Sequence, residues 1–484
     1  MSANARPINP SGARPTVELL RLATPMILMS LSRVAMGFID FVMVSWLGTD
    51  AQAAISPATL FIWALACAGT GIASGVQTFV AQADGRGERR IAGGYVWQTL
   101  YLALIALFIA WPLSQTTAVW LGWFAGLGQH PPTVTALEVE FVRIGVWTAA
   151  PVILCAGLDG FFNGIRRPWI VLLAAALSVG VNALGNWLLI FGPTLHLPGV
   201  GWSITFPAWG IGGAAVATLI GWCVRAAVLL IVLRHPELDR RYNTRRSFAP
   251  CWQKLAGLVR VGGPMSLQWL LDIGSWVVFM WLIMPRFGTY AMAATNIGLQ
   301  FMHVSFMPAI GIGIALCSQV AHAIGAGRPE EAVRRTRVAF GLTGGYMGLV
   351  GLLFLLLREP LVRLLNTDPA VIAAGQIVLV WAAIFQVFDA MGVTYMNALR
   401  GAGDTRWPAV LMGVSCWGVF IGGGCLIGYL RPEWGLHGPW AMCTLYIIIV
   451  GLGVLWRWRR GHWRSIRLFE EPRAVPLAEA PAGF

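Results

Sequence analysis

Apolar stretches long enough to cross a bilayer recur along the whole chain, and few folds can absorb them. A membrane-spanning helix needs about 20 predominantly apolar residues. Such runs are predicted at 23–48, 55–82, 95–115, 140–162, 168–191, 211–233, 258–284, 291–323, 338–357, 371–398, 408–430 and 438–456. Lipid offers no partner to backbone N–H and C=O groups, so each segment must satisfy its own as a helix or join a closed barrel. A barrel would show short alternating strands, and none is seen. The expected fold class is therefore an all-α polytopic membrane protein with twelve transmembrane helices. With 57% hydrophobic and 11% charged residues, the chain lies far from the roughly 25% charged residues of a soluble domain.

The formal net charge is +13, but its distribution excludes a nucleic-acid partner. Basic residues sit in short loops and alternate in density. One set of loops holds Arg6, Arg14 and Arg21; Arg86, Arg89 and Arg90; Arg166 and Arg167; Arg234 to Arg260; Arg328 to Arg337; Arg400 and Arg406; and Arg457 to Arg473. The opposite set holds only Arg286, Arg358, Arg363 and Arg431, with Arg143 near one edge. The positive-inside rule then predicts both termini in the cytoplasm, and the composition suits a bacterial inner membrane. The eight cysteines form no CxxC or metal-ligand pattern and read as small packing residues. The first 20 residues lack the apolar core of a signal peptide, and the last 15 read as a disordered tail.

The chain repeats internally. At an offset of 240 residues Gly48 falls on Gly288, Ala53 and Ala54 on Ala293 and Ala294, Gly71 on Gly311, and Ala81 on Ala321. Gly85-Arg86-Gly87 falls on Gly325-Ala326-Gly327, and NGIRRP at 163–168 resembles the longer NALRGAGDTRWP at 397–408. Six spans per half make the repeat parallel, with a pseudo-twofold axis along the membrane normal, as in transporters that rock two lobes about a cleft. The expected division is an N-terminal lobe over 1–233, a cytoplasmic linker over 234–257, a C-terminal lobe over 258–457 and a tail over 458–484.

Charges inside the spans carry the functional signal. Span 1 holds Arg33 and Asp40, seven residues apart. That spacing turns a helix through about 700° and places both on one face, roughly 10 Å apart along the axis. Gly37 lies between them. Whether Arg33 pairs with Asp40 stays open at this point. Asp272 in span 7 and Asp389 in span 10 have apolar neighbours. Loss of water disfavours the charged form of a carboxylate, so such a group exchanges a proton, binds a metal cation or pairs with an organic cation. A structural hydrogen bond to a neighbouring helix is the plain alternative. Asn182 and Asn186 share a face of span 5, and Thr218 lies in span 6; their oxygens suit sodium or a protonated carboxylate. Asp159 reads as a helix-end residue, Arg225 as a snorkelling side chain, and His303 as structural. No Walker P-loop or nucleophile elbow is present, so neither an ATPase nor another enzyme is expected.

Together these features resemble the multidrug and toxic compound extrusion family over about 430 residues of both halves. The resemblance is carried by the TPM…GFIDFVMVSWLG first span, the GRGERR and GAGRPEEA loops, NGIRRP, NALRGAGDTRWP and the N-x3-N-WLLIFG run. It implies two pseudo-symmetric six-helix lobes. It also implies a secondary antiporter, a monomer among membrane lipids, that exports amphipathic, mostly cationic compounds in exchange for protons or sodium, with no other cofactor. Asp40 stands where the family has its first-span coupling carboxylate, and Asn182, Asn186 and Thr218 match the polar cluster of the first lobe. Other branches, the DinF-like one among them, place Asp where this chain has Asn186. Asp272 stands where the NorM-like branch usually has Glu, and Asp389 matches that branch's tenth-span Asp. Sodium at Asp272 and Asp389 is one reading of that pair. Arg33 departs from the family pattern: paired with Asp40, it would make the first-lobe carboxylate structural.

Trp46, Trp63, Met265, Trp269, Trp276 and Met302 are expected to line the cleft with adaptable apolar and cation–π surface. A flippase for a lipid-linked saccharide is the rival within transport, but it would want a more cationic cleft. A membrane-embedded transferase would need clustered catalytic groups at one face.

Overall fold

A computed structural model describes residues 15–127, 131–196 and 203–469. Its spans are Thr16–Ser45, Thr49–Arg86, Arg89–Gln115, Pro132–Gly164, Pro168–Phe191, Gly210–Leu233, Trp252–Phe287, Thr289–Gly325, Pro329–Leu356, Pro369–Ala402, Arg406–Leu430 and His437–Arg460, numbered here spans 1 to 12. All twelve predicted segments are present. The helices run on into polar sequence, where caps rather than hydropathy set the limits. Span 9 begins at Pro329, where proline's missing N–H costs nothing, nine residues ahead of its predicted start. Span 10 begins after Asp368, whose Oδ1 accepts from Ala370 N at 2.8 Å, a side-chain N-cap. Span 7 starts at Trp252, inside the predicted linker, and the rest of that linker contains a short helix, Pro236–Tyr242. The only strands among the described residues are Thr194–His196 and Ser203–Thr205, a small antiparallel ribbon between spans 5 and 6. The predicted signal-free N-terminus and disordered tail fall largely on residues 1–14 and 470–484, outside the described residues.

The spans form two pseudo-symmetric six-helix lobes. Within the first, span 5 packs on span 6, span 1 on span 5, and span 4 on spans 2, 3 and 6; within the second, spans six positions later repeat every one of these pairings. Between lobes span 1 packs on span 8 and span 7 on span 2. Backbone conformations repeat too. Gly48 and Gly288 precede spans 2 and 8 with φ/ψ of 124/173 and 90/171, a region that side chains with a Cβ avoid.

Where the lobes meet, the same symmetry governs individual atoms. A Cβ on Gly85 would lie 2.3 Å from the His322 carbonyl oxygen, and one on Gly325 would lie 2.1 Å from the Gln82 carbonyl oxygen. Residues 82 and 322 are themselves related by the offset of 240. Thr78 Oγ1 donates to Arg400 O at 2.9 Å, and Ser318 Oγ donates to Asn163 O at 2.9 Å. Gln77 Nε2 reaches Ile314 O and Ser318 Oγ, and Gln82 Nε2 reaches Gly401 O. Asp84 accepts from Arg89 at 2.7 Å and Tyr242 at 3.2 Å, and lies 3.5 Å from His322 of the other lobe. Burial and the adjacent Asp84 push the Tyr242 hydroxyl up to about 12, so it remains a donor at neutral pH. Arg335 grips Glu18 at 3.1 Å. These contacts gather on the half of the molecule that carries the arginine-rich loops. Towards the opposite face nothing lies within 4 Å of a Cβ built on Gly37, and Phe38 is 66% exposed. The polar contacts between the lobes thus concentrate on the arginine-rich side.

Candidate transport site

In the first lobe Asp40 turns inward between spans 5 and 6. Its Oδ1 accepts from Asn182 Nδ2 at 2.9 Å and Asn186 Nδ2 at 2.6 Å; its Oδ2 accepts from Thr218 Oγ1 at 3.0 Å. Asn182 and Thr218 also meet at 3.2 Å. Three donors on one carboxylate replace the water that burial removes. The amide oxygens of Asn182 and Asn186 are buried without a partner. Such orphaned acceptors beside a carboxylate are hard-ligand oxygens that fit a sodium ion, and after an amide rotation they equally fit a protonated Asp40.

Arg33 does not pair with Asp40. The short Asp side chain is captured by spans 5 and 6, whereas the long arginine stem carries its guanidinium over Trp63 of span 2, 5.9 Å from the ring centroid. Arg33 is exposed, yet its electrostatic neighbours are Cys67, Cys155, Asp159 and Arg225 inside the lobe. Its guanidinium thus lies on the side of span 1 towards spans 2, 4 and 6.

The snorkelling expected for Arg225 is corrected. Arg225 is 4% exposed and bonds Asp159 at 2.7 Å, with its guanidinium 5.2 Å from the Trp222 ring centroid. Asp159 is accordingly half of an ion pair linking spans 4 and 6. A buried arginine reaches a carboxylate sooner than a distant interface. The spacing within either span gives no hint of this, because the partners are 66 residues apart.

In the second lobe Asp272 and Asp389 are electrostatic neighbours of one another and of Cys443 and Tyr446. Both are half-buried. Among the described residues the Asp272 carboxylate bonds only the Cys416 thiol, at 4.0 Å, and the Asp389 carboxylate has no hydrogen bond. This pair thus lacks the amide donors that surround Asp40. Cys416 lies in a π-helical stretch of span 11, Ser415–Gly423, an irregularity that often marks functional positions. No three His, Cys, Asp or Glu side chains converge as metal ligands among the described residues.

Two members of the expected apolar wall are corrected as well. Met265 and Met302 are core residues, 5% and 9% exposed. Trp276 joins a cluster with Phe279 and Phe420, and Trp46 rests on Phe191 at the surface. Trp63 and Trp269 hold Arg33 and Arg400 over their rings. His303 packs beside Phe306. The polar seam formed by Gln77, Gln82 and Ser318 escaped the sequence reading, which marked only the glycines around it.

Two pseudo-symmetric six-helix lobes, each with intramembrane carboxylates, are an architecture found in membrane transporters. The family model MatE matches residues 25–188 and 264–423, and the chain belongs to that family of MATE membrane transporters. It is 30% identical over 471 residues to a probable multidrug resistance protein NorM of Rhizobium meliloti, covering 95% of each chain. A protein of the same name from Brucella suis is 29% identical over 459 residues, covering 92% of this chain and 93% of that one. Among solved structures, the eukaryotic MATE transporter AtDTX14 superimposes with a TM-score of 0.80 at 18% identity, covering 93% of this chain and 97% of that one. A MOP superfamily transporter from Pyrococcus furiosus gives 0.78 at 20%, with the same coverage.

Proposed function

We propose that this chain is an ion-coupled antiporter of the bacterial inner membrane, with the arginine-rich face and both termini in the cytoplasm, exporting amphipathic cations in exchange for protons or sodium. The observation that carries the reading is the unpaired state of Asp272 and Asp389 on a structure whose inter-lobe contacts concentrate at the arginine-rich face. An intramembrane carboxylate without donors calls for a countercharge. A proton, a sodium ion and an organic cation all supply one, and only one at a time fits a single pair. Competition is reciprocal: the ion weakens the binding of the drug as much as the drug weakens that of the ion. Drug release to the outside then follows ion arrival from the outside, and the loaded ion is carried inward when the seam opens.

Asp40 has a supporting part in this proposal. Its amide cage accepts either state of the carboxylate by rotating Asn182 or Asn186, so the first lobe can follow a change of charge without unfolding. The relatives' name as probable multidrug resistance proteins agrees with a drug-like substrate.

The test is ethidium efflux from vesicles, driven separately by a proton and by a sodium gradient. Asp272→Asn or Asp389→Asn is expected to abolish efflux while expression stays intact. Unchanged efflux in both variants would overturn the assignment. Drive by protons alone would make the carboxylates proton carriers and suit the neutral Asn186. Sodium dependence would point to a metal-ion site at Asp272 and Asp389.

A further inference from the structure

We infer that Arg33 is the binding site for an anionic group, a carboxylate or similar oxyanion, carried by a zwitterionic amphiphile. The inference rests on the antiporter reading and narrows its substrate class.

Three observations converge on it. Arg33 lies near the middle of span 1, where an uncompensated guanidinium is costly. Of the first-lobe carboxylates, Asp159 accepts from Arg225 through its Oδ2, and Asp40 is held by three neutral donors. Among the described residues the Arg33 guanidinium has no ion pair and no hydrogen bond; it lies over the face of Trp63. A guanidinium stacked in this way keeps its edge of N–H donors free, in the planar fork that suits a carboxylate.

The space in front of it is real. Gly37 lies one helical turn further along the same face, and no other helix comes within 4 Å of a Cβ built there. Any side chain on Gly37 would project into that opening. In the inferred site the first lobe presents a positive group and aromatic surface to the ligand, while the second presents Asp272 and Asp389. A ligand with an anionic end for Arg33, an aromatic body for Trp63 and a cationic end for the second lobe neutralises both sides at once. A purely cationic ligand leaves Arg33 unpaired and meets its repulsion.

The test compares two dyes that share one ring system: tetramethylrhodamine methyl ester, a cation, and its free carboxylate, a zwitterion. Binding to the purified full chain is read by fluorescence anisotropy, and transport is followed in proteoliposomes. Wild type is expected to bind the carboxylate at least as tightly as the ester. Arg33→Gln should raise the carboxylate's Kd relative to the ester's by about tenfold or more, the scale of a lost hydrogen bond to a charged group. Arg33→Lys should keep part of the preference. Free benzoate should displace the carboxylate dye from wild type and leave the ester bound, a readout that needs no variant. An unchanged Kd ratio in Arg33→Gln, or benzoate displacing both dyes alike, overturns the site. Wild type that binds the ester and not the carboxylate overturns the inference and leaves cation export standing. Wild type that neither binds nor moves either dye overturns both.

Discussion

Asp159 and Arg225 sit 2.7 Å apart inside the first lobe, and each keeps one polar atom without a partner, Oδ1 on the aspartate and Nε on the arginine. Such a pair adds little net stability, because desolvating both charges offsets their attraction. Breaking it is another matter. Asp159→Asn should lower unfolding stability in detergent by about 3–5 kcal/mol by stranding Arg225. The double variant Asp159→Leu with Arg225→Met, which removes both charges, should be markedly closer to wild type. Thermal unfolding checks both, and a double variant as damaged as the single one would contradict the argument. The contrast with Asp40 is instructive. Neutral amide and hydroxyl donors hold Asp40 without fixing its charge, whereas an arginine fixes that of Asp159. The first arrangement suits a group that exchanges an ion, the second a strut.

Among the elements, spans 2 and 8 do the most. They cross at the arginine-rich half, and Gly85 and Gly325 let each backbone touch the carbonyl of the other. No side chain fits at 2.1–2.3 Å. Gly85→Leu or Gly325→Leu should therefore prevent the seam from closing and shift the population towards opening on that side. Thiol labelling of Ser318→Cys from the arginine-rich side should rise in either variant. Gly341→Leu, placed where a Cβ meets nothing within 4 Å, should leave labelling unchanged. Equal labelling in all three would show that the crossing does not gate access. These spans were legible in the sequence because hydropathy and the 240-residue repeat report on every helix of such a protein. The polar cluster of Asp40, Asn182, Asn186 and Thr218 was legible from residue type and from the family resemblance. The rest was not, for physical reasons. Arg225 pairs across helices, and no periodicity within one helix encodes a partner 66 residues away. Arg33 shares a face with Asp40 at the Cα, but a long side chain decides its own direction. Met265 and Met302 looked like cleft lining because a methionine suits a wall and a core equally well.

At the scale of the whole molecule the two lobes are near copies with unequal chemistry. The first holds its carboxylate in amides, buries one ion pair and keeps Arg33 free. The second leaves Asp272 and Asp389 almost without donors. A rocking motion that opens one face as it closes the other would carry this asymmetry across the membrane. On the antiporter proposal, the charge on the second-lobe pair would set what is carried each way. The most direct test is counterflow in proteoliposomes: an ethidium gradient is imposed with no ion gradient, and proton and sodium movements are recorded together. The account predicts that ethidium moving down its gradient drives protons or sodium the opposite way, and that Asp272→Asn and Asp389→Asn abolish both fluxes together. Ethidium crossing through the wild-type protein with no opposing flux of either ion would contradict it.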